Sequence, residues 1–203
     1  MTGRGTPSAG PTEAPAAPPG PDPLARTERL VVRRFRPTDG PGLHAILSRP
    51  EAVRFEPYGV QDAAACERIA RDRAADPCFW AVERAADGVL LGTLYLAPAE
   101  DPAWATYEVG FVFHPDHWGR GYATEAARAL LDHVFAGGAH RVVAHCDPRN
   151  AASWRLLERL GMRREGLHPR AASFATDDAG RPVWHDVVDY AVLAEEWRSP
   201  GSP

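Results

Sequence analysis

The sequence contains no lysine, only three cysteines, and no apolar run that approaches the length of a membrane span. The missing lysine excludes the phosphate-binding loop of P-loop nucleotide hydrolases, in which a lysine contacts the phosphates. Three cysteines without regular spacing argue against a disulfide framework. A membrane-spanning helix needs about 18 or more apolar residues, and the first residues lack the apolar segment of a signal peptide. We therefore expect a soluble, cytoplasmic protein.

The sequence also has no excess of positive charge. The formal net charge is −4, which leaves no broad basic surface of the kind that attracts nucleic acid. Arginine supplies all of the strong positive charge, so only a local arginine patch remains open to such a role. We therefore expect neither a nucleic-acid partner nor a membrane partner.

The N-terminal segment differs in composition from the rest of the chain. Residues 1–25 are dense in proline, glycine, alanine, serine and threonine, with almost no large apolar side chains. Such a segment cannot bury enough apolar surface to fold, so we predict a disordered tail. Residues 26–198 then form one domain of roughly 170 residues with a single core. Residues 199–203 are predicted to be a short disordered C-terminus.

The segment Trp118–Ala126 is central to the function of the chain. Gly119 and Gly121 leave its backbone free to curl and let a ligand approach the amides closely. Apolar residues then recur at helical spacing, which predicts an amphipathic helix directly after the loop. These residues are Ala123, Ala126, Ala127, Leu130, Leu131, Val134 and Phe135. A helix N-terminus carries unpaired N–H groups and partial positive charge, so the segment predicts an anion site.

A dinucleotide-binding turn is one alternative for this loop. Gly119-x-Gly121 precedes a helix, and Asp147 ends the next predicted strand, where an acid that binds ribose could lie. Thr124, however, replaces the third glycine of that fingerprint, and residues 114–118 separate the strand from the first glycine. A dinucleotide-dependent oxidoreductase therefore stays open as a weaker hypothesis.

The rest of the domain alternates strands and helices. The predicted order is β-α-α-β-β-β-α-β-α-β-β, which implies a mixed sheet with helices on its faces. The main predicted strands are Glu28–Arg36, Phe79–Glu83, Val89–Ala97, Trp104–Phe113, Arg141–Cys146 and Trp184–Leu193. Asp87-Gly88 between two of them predicts a hairpin. Asn150 and Gly161 predict the start and the end of a helix over Ala151–Leu160.

Two motifs resemble those of a known family. Trp118-x-x-Gly121-x-Ala123 is similar to the pyrophosphate loop Q/R-x-x-G-x-G/A of the GNAT N-acetyltransferases. Tryptophan in place of Gln or Arg resembles the RimJ/RimL-type branch, whose loops commonly read W-G-x-G-Y-A-T-E-A. The segment Asp147–Met162 resembles the second motif of that branch, N-x-x-S followed by a helix and L-G-[FM]. The likeness extends over Thr27–Trp197, nearly the whole chain after the tail.

The resemblance implies an α/β (α+β) GNAT fold. In this fold a mixed, mostly antiparallel sheet of six to seven strands carries helices on both faces, and its central strand pair splays apart. By residue matching, the splayed strands are Tyr107–Phe113 and Arg141–Cys146. The implied activity is transfer of acetyl from acetyl-CoA to a primary amine by direct attack in a ternary complex. Because many relatives form dimers, the resemblance also allows a homodimer.

The same matching implies an acetyl-CoA site. Members of the family bind the pyrophosphate on loop amides and lay the pantetheine along the splayed strand, where it fills a gap in the ladder. The asparagine that caps the next helix would bond the pantetheine or a catalytic water. The matching residues are Trp118, Gly119, Arg120, Gly121, Tyr122, Ala123 and Thr124 in the loop, Phe111, Val112 and Phe113 on the strand, and Asn150 and Ser153 on the helix.

Glu108 and Ser153 match the catalytic positions. The family commonly places a carboxylate on the splayed strand, here Glu108, to receive the amine proton directly or through water. A carboxylate is ordinarily a weak base for an amine, so burial or a water relay is required; Asp186 and Asp189 are alternative acids. Many relatives use a tyrosine as general acid, but Leu157 stands at that position, and Ser153 matches the serine of this branch. We expect its hydroxyl to hydrogen-bond the thiolate.

The acceptor side is less defined by motifs. Phe55 and Tyr58 lie in a loop and are predicted to wall the amine site, although packing over the core explains them as well. Trp184 and Asp186 of the last strand are predicted to contact the acceptor together with Glu108. The acceptor amine is a protein N-terminus, as the RimJ/RimL resemblance suggests, or a small molecule.

Other chemistries are less well supported. His114-Pro115-Asp116-His117 lacks further ligands at suitable spacing, so we expect no metal. Cys146 next to His145 suggests a thiol nucleophile, but adjacent strand residues point to opposite faces, which favours a thiol in the core. A non-catalytic acyl-CoA sensor or interaction module stays open as a function of a different class.

Overall fold

The computed structural model describes residues 22–99 and 101–198. The predicted tail up to residue 21 and the predicted C-terminus over 199–203 lie outside these described residues. The strands are β1 (Ala25–Arg26), β2 (Leu30–Arg34), β3 (Phe79–Arg84), β4 (Leu90–Pro98), β5 (Thr106–Phe113), β6 (Arg141–Cys146), β7 (Arg163–Thr176) and β8 (Pro182–Leu193). The helices are α1 (Gly40–Leu47), α2 (Pro50–Val53), α3 (Ala63–Ala75), α4 (Tyr122–Ala136), α5 (Ala151–Arg159) and α6 (Ala194–Arg198).

The strands form one sheet in the order β1-β2-β3-β4-β5-β6-β8-β7. Neighbouring strands pair antiparallel, except that β5 and β6 run parallel, from Thr106 opposite Arg141 to Glu108 opposite Val143. This mixed, mostly antiparallel sheet confirms the predicted fold class. The eight strands of the sheet exceed the predicted six to seven, because the two-residue β1 adds to its edge beside β2.

Helices cover both faces of the sheet, as predicted. On one face, α4 and α5 pack on the larger core, which contains Trp80, Leu94 and Phe135. On the other face, α1 and α3 pack on a smaller core around Leu43 and Leu90. Each helix buries one apolar stripe, which is why the helical spacing of apolar residues predicts these elements. Within the ranges that the structure describes, no helix has the length and apolar character of a membrane span.

Local signals set the ends of several elements. The Asn150 side chain accepts a hydrogen bond from the Ser153 N–H at 3.2 Å and so caps α5. Gly161 follows that helix with a φ of 81°, a left-handed conformation that favours glycine. The hairpin predicted at residues 87–88 joins β3 and β4. The predicted start of α5 and the predicted hairpin are therefore confirmed, and α5 ends at Arg159, one residue before the predicted end.

A buried ion-pair network joins β2 and β3 to the turn before α1. The Arg33 side chain is 4% exposed and donates to Asp39 at 2.8 and 2.9 Å and to Glu83 at 2.8 Å. Burial lowers the pKa of the Arg33 guanidinium, but the hydrogen bonds and charges of both carboxylates outweigh it and raise the pKa. The network therefore ties the start of the α1–α2 region to the sheet.

The folded domain begins earlier than predicted. Leu24 is 9% exposed and belongs to the larger core, and Ala25 pairs with Val32 in the sheet. The predicted tail therefore extends too far at its C-terminal end, because Leu24 gives this proline-rich segment an apolar contact with the core.

Candidate active site

A cleft of about 870 Å³ opens where β5 and β6 separate. Among the described residues, the two strands pair only from Thr106 to Glu108 on β5. Beyond that point, residues 109–113 of β5 and 144–146 of β6 both line the cleft. The remaining sides are the loop before α4, the N-terminal part of α5, and the segment 51–56, which we call the α2 wall and which lines the cleft through all its residues except Val53. The predicted splayed strand pair is therefore confirmed.

The loop before α4 has the geometry of an anion site. Gly119 and Gly121 have φ angles of 73° and 81°, which glycine adopts at little cost. Gly121 is the N-cap of α4, a helix of 15 residues. Unpaired N–H groups and partial positive charge therefore concentrate at this end of the cleft. The loop residues that line the cleft are Trp118, Gly119, Gly121, Tyr122, Ala123 and Thr124.

Arg29 fixes this loop from the turn between β1 and β2. Its Nη1 donates to the carbonyl oxygen of Arg120 at 3.0 Å, and its Nε donates to Glu125 Oε2 at 2.7 Å. The guanidinium also lies 4.7 Å from the centre of the Tyr122 ring. Burial raises the pKa of the Glu125 carboxyl, but hydrogen bonds from Thr27 and Arg29 lower it overall. A charged pair therefore holds the loop against the first turn of α4, and Arg120 contributes through its main chain.

Trp118 links the loop to the end of β5. Its indole Nε1 donates to the carbonyl oxygen of Phe113 at 2.9 Å, while 47% of the residue remains exposed. Both residues line the cleft. The tryptophan therefore sets the distance between the strand and the anion loop, which gives a structural reason for its presence where other loops of this type have Gln or Arg.

The N-terminal part of α5 forms the wall next to β6. Asn150 and Ser153 line the cleft, and the interaction of Ser153 with Cys146 lowers the pKa of that thiol. Burial raises the pKa of the Cys146 thiol more than Ser153 lowers it. Cys146 is therefore a protonated thiol that packs against the larger core. Leu157, at 1% exposure, supplies only apolar lining.

Glu108 lies at the end of the paired part of β5. It stands opposite Ala97 on β4 and Val143 on β6, whereas the next residue, Val109, is buried in the larger core. The alternation of the strand therefore places Glu108 on the face away from α4 and α5. It is not among the described residues that line the cleft, so its contact with a ligand there would run through water.

The predicted acceptor residues fall in different places. Phe55 lines the cleft, whereas Tyr58 packs against the smaller core. Trp184 is 50% exposed on β8, and the Asp186 carboxylate accepts from the N–H of Arg170 at 2.8 Å within the β7–β8 hairpin. Of these, only Phe55 belongs to the described lining of the cleft. Acceptor contacts of all four residues stay predictions.

Glu56 lines the cleft beside Phe55 and was not identified from the sequence. Burial raises the pKa of its carboxyl to about 7, although a hydrogen bond with Tyr58 and the charge of Arg73 lower it. Burial and the charge of Glu56 also raise the pKa of Tyr58 to about 12. The α2 wall therefore contains a carboxyl group that titrates near neutral pH. In the sequence, the sign that Glu56 lies near the acceptor site is its position between Phe55 and Tyr58, the two aromatic residues predicted to contact the acceptor.

Replacing Glu56 by glutamine should change how stability depends on pH. Burial raises the folded-state pKa of Glu56 from 4.5 to about 7, so the unfolded chain releases this proton at lower pH than the folded protein does. The stability that Glu56 contributes is complete below about pH 4.5 and is lost as the pH rises through about 7. In thermal melts, the Tm of E56Q relative to the unchanged protein should therefore rise across this window and then level off.

The matched control for this experiment is Glu51→Gln, which changes an exposed carboxylate of the same α2 wall. Equal pH slopes for E51Q and E56Q would contradict a raised pKa at Glu56.

His145 lines the cleft from β6. Ala144 is buried in the larger core, so His145 points to the opposite face of the sheet. Its Nδ1 lies 2.7 Å from Asp189 Oδ1 on β8, and the second carboxylate oxygen contacts His168 Nε2 on β7. In the sequence, His145 is recognisable only as a neighbour of Cys146, because it meets Asp189 through the long-range pairing of β6 with β8.

His114 and His117 lie together before the anion loop, with ring centres 5.3 Å apart. Burial lowers the pKa of His117, so its ring is neutral at neutral pH. The Nδ1 of His114 accepts from the N–H of Asp116 at 3.2 Å, which shapes the turn. In the described part of the chain, no three His, Cys, Asp or Glu residues are arranged to hold a metal ion.

Comparisons with known proteins agree with this geometry. The family model for the acetyltransferase (GNAT) domain matches residues 29–163. YnaD of Bacillus subtilis (strain 168), an uncharacterized N-acetyltransferase, is 32% identical over 177 residues, which cover 84% of this chain and 97% of YnaD. The crystal structure of a GNAT-family acetyltransferase from Bacillus anthracis matches with a TM-score of 0.75 and 30% identity, over 84% of this chain and 98% of that chain.

A more distant structure shares the fold. The spermidine N-acetyltransferase of Vibrio cholerae, solved in complex with CoA and spermine, matches with a TM-score of 0.70 and 19% identity, over 85% of this chain and 100% of that chain. The family model alone covers more than half of the residues, and the cleft, the splayed strands and the anion loop agree with it. This chain therefore belongs to the GNAT family and is an acetyl-CoA-dependent acetyltransferase.

Proposed function

We propose that this protein transfers acetyl from acetyl-CoA to a primary amine by direct attack in a ternary complex, as a RimJ/RimL-type GNAT enzyme. The observation that carries the proposal is the cleft at the separation of β5 and β6, with the anion loop at one end. The RimJ/RimL assignment is supported by the two sequence motifs over 118–126 and 147–162.

The lining suits acetyl-CoA at both ends of the cleft. The amides from Gly119 to Thr124 would hold the pyrophosphate at the N-terminus of α4. On the side that faces β6, the main chain of Phe111–Phe113 has lost its neighbouring strand, and buried main-chain groups require hydrogen-bond partners. The pantetheine amides would supply such partners. When bound, acetyl-CoA supplies the thioester that acylates the amine.

Glu108 and Ser153 are the proposed catalytic side chains. We propose that Glu108 receives the amine proton through water, since it is not among the described lining residues. The hydroxyl of Ser153, a residue that lines the cleft, would donate to the departing thiolate. A serine hydroxyl is a poor acid, so the rate depends chiefly on how well the two reactants are positioned.

The acceptor is proposed to be a protein N-terminal α-amine or a small-molecule amine. At pH 7 roughly one α-amine in ten is neutral, but fewer than about one lysine amine in a thousand. Only the neutral amine attacks, so α-amines or amines of lowered pKa are favoured. The Vibrio cholerae neighbour was solved with spermine, so a polyamine belongs in any panel of acceptors.

A thermal-shift titration with acetyl-CoA and with NAD tests the donor. At a concentration of 100 Kd, acetyl-CoA should stabilise the protein by about 2.7 kcal/mol, and NAD should have no effect. Stabilisation by NAD alone would favour the dinucleotide-dependent oxidoreductase. A panel of amines with a free-thiol readout then identifies the acceptor.

The same panel separates the enzyme from a sensor. If acetyl-CoA binds, no amine is acetylated, and E108Q and S153A behave like the unchanged protein, the non-catalytic acyl-CoA sensor is favoured.

A further inference from the structure

His145 and Asp189 form an oriented pair beside the point where the central strands separate. The Nδ1–Oδ1 distance is 2.7 Å, and the side chains are 43% and 30% exposed. An ionised carboxylate only accepts hydrogen bonds, so Nδ1 carries the proton and Nε2 is the basic nitrogen. The carboxylate thus fixes both the tautomer and the orientation of the ring.

The pair lies on the acceptor-facing side of the proposed site. His145 follows Val143, the last β6 residue that pairs with β5, by two positions. It lines the same cleft as Gly110 and Glu56. α4 and α5, which would hold the acetyl donor, cover the opposite face of the sheet. An amine entering along the α2 wall would therefore reach the thioester beside the His145 ring.

We infer that Nε2 of His145, oriented by Asp189, is the first acceptor of the amine proton. The inference deepens the proposed function and rests on it. His145 is a catalytic residue in this assignment, because it touches the amine, and Asp189 is a positioning residue. Glu108, farther along the sheet, then receives the proton from the imidazolium through water.

The proton and electron balance of the step is complete. The substrate ammonium transfers one proton to Nε2 and becomes a neutral amine. Its lone pair forms the C–N bond at the thioester carbonyl carbon, and the C–S bond breaks with its electron pair on sulfur. The second nitrogen proton goes to the thiolate, which leaves as a thiol. The imidazolium returns its proton to solvent by way of Glu108, and no redox partner is required.

Several titratable and charged groups surround His145. Asp189 faces it from β8, with His168 behind that carboxylate on β7. Glu56 lies on the α2 wall, and burial raises the pKa of its carboxyl to about 7. On the continuation of β6, Asp147 is held by Arg149. Among the described residues that line the cleft, His145 is thus a basic group that a carboxylate orients.

The test compares His145→Gln with His168→Gln. His168 contacts the same carboxylate but is not among the described residues that line the cleft. With an α-amine acceptor at pH 7, H145Q should lose about 10²-fold or more in kcat/KM, and H168Q should change little. At pH 9 the acceptor amine is already neutral, so the loss in H145Q should shrink by about tenfold.

A purely structural or donor-binding role would not give this pattern. A loss in H145Q that is equal at pH 7 and pH 9, or activity close to that of the unchanged protein, would overturn the inference. E108Q is run in parallel; if it shows the pH-rescued loss and H145Q does not, Glu108 acts without the histidine.

Asp189→Asn keeps the test valid even if H145Q fails to fold. D189N should lower kcat and leave the KM for acetyl-CoA unchanged, and Asp189→Glu should restore part of the kcat. A D189N enzyme with unchanged kcat would overturn the positioning role.

Failure of the inference is distinguishable from failure of the proposed function. In the first case the unchanged protein acetylates amines and H145Q does so equally well. In the second case the unchanged protein acetylates no amine at any pH.

Discussion

Replacing Gly121 by valine is expected to weaken acetyl-CoA binding by about 10²-fold or more, which corresponds to about 2.7 kcal/mol. Gly121 has a φ of 81°, which a β-branched residue adopts only with strain. A Cβ there would also lie 3.4 Å from Nη2 of Arg29, the side chain that fixes the loop. The loop would rearrange, and its amides would lose hydrogen bonds to the pyrophosphate worth about 1.5–3 kcal/mol each.

Gly180→Val is the matched control. Gly180 has a φ of 73° and lies in the turn between β7 and β8, where a Cβ would meet no atom within 4 Å. Both variants should lose stability through the same backbone strain, but only G121V should lose affinity when the donor is titrated by calorimetry. Equal affinities in the two variants would contradict the assignment of the anion loop.

Replacing Arg33 by methionine should lower the free energy of unfolding by about 3–5 kcal/mol. The guanidinium is 4% exposed and pairs with Asp39 and Glu83, whose side chains are 9% and 19% exposed. Methionine fills a similar volume but leaves the Asp39 carboxylate buried without its cation. Urea unfolding of the purified protein measures the change.

Arg84→Met is the surface counterpart. Arg84, the last residue of β3, pairs at 2.7 Å with Asp87 in the turn that follows, with side-chain exposures of 25% and 46%. A pair in contact with water contributes little, so R84M should leave the unfolding curve nearly unchanged. Similar losses in both variants would show that burial does not decide the contribution of Arg33.

The sequence predicts those features that depend on residues close together in the chain. The capping of α5 by Asn150 and its end at Gly161 follow from local hydrogen bonding and backbone freedom. The anion loop likewise follows from two glycines directly before an amphipathic helix. The resemblance to the GNAT family supplies the sheet and its splayed pair, which no local pattern contains.

The features that sequence reasoning missed depend on contacts between distant segments. Arg29 reaches Glu125 across 96 positions of the chain, and His145 meets Asp189 only because β8 returns beside β6. Glu56 titrates near pH 7 because the fold buries it, and burial of a single carboxylate in a loop has no periodic signature. Trp184 and Asp186, by contrast, lie on the β7–β8 hairpin, outside the core. The alternation of residues along a strand predicts which face a side chain occupies, but it does not predict where an exposed hairpin runs.

Within the described part of the sheet, the short parallel pairing from Thr106 to Glu108 supplies the only strand hydrogen bonds between β1–β5 and β6–β8. An acetyl donor bound beyond that pairing would contact both β5 and β6 and would join the two parts of the sheet. Without a bound donor, the protein would open locally between β5 and β6 first. Amide hydrogens there would exchange fastest, and proteases would cleave the protein more often. A bound acetyl donor would thereby slow both amide exchange and proteolysis in this part of the sheet.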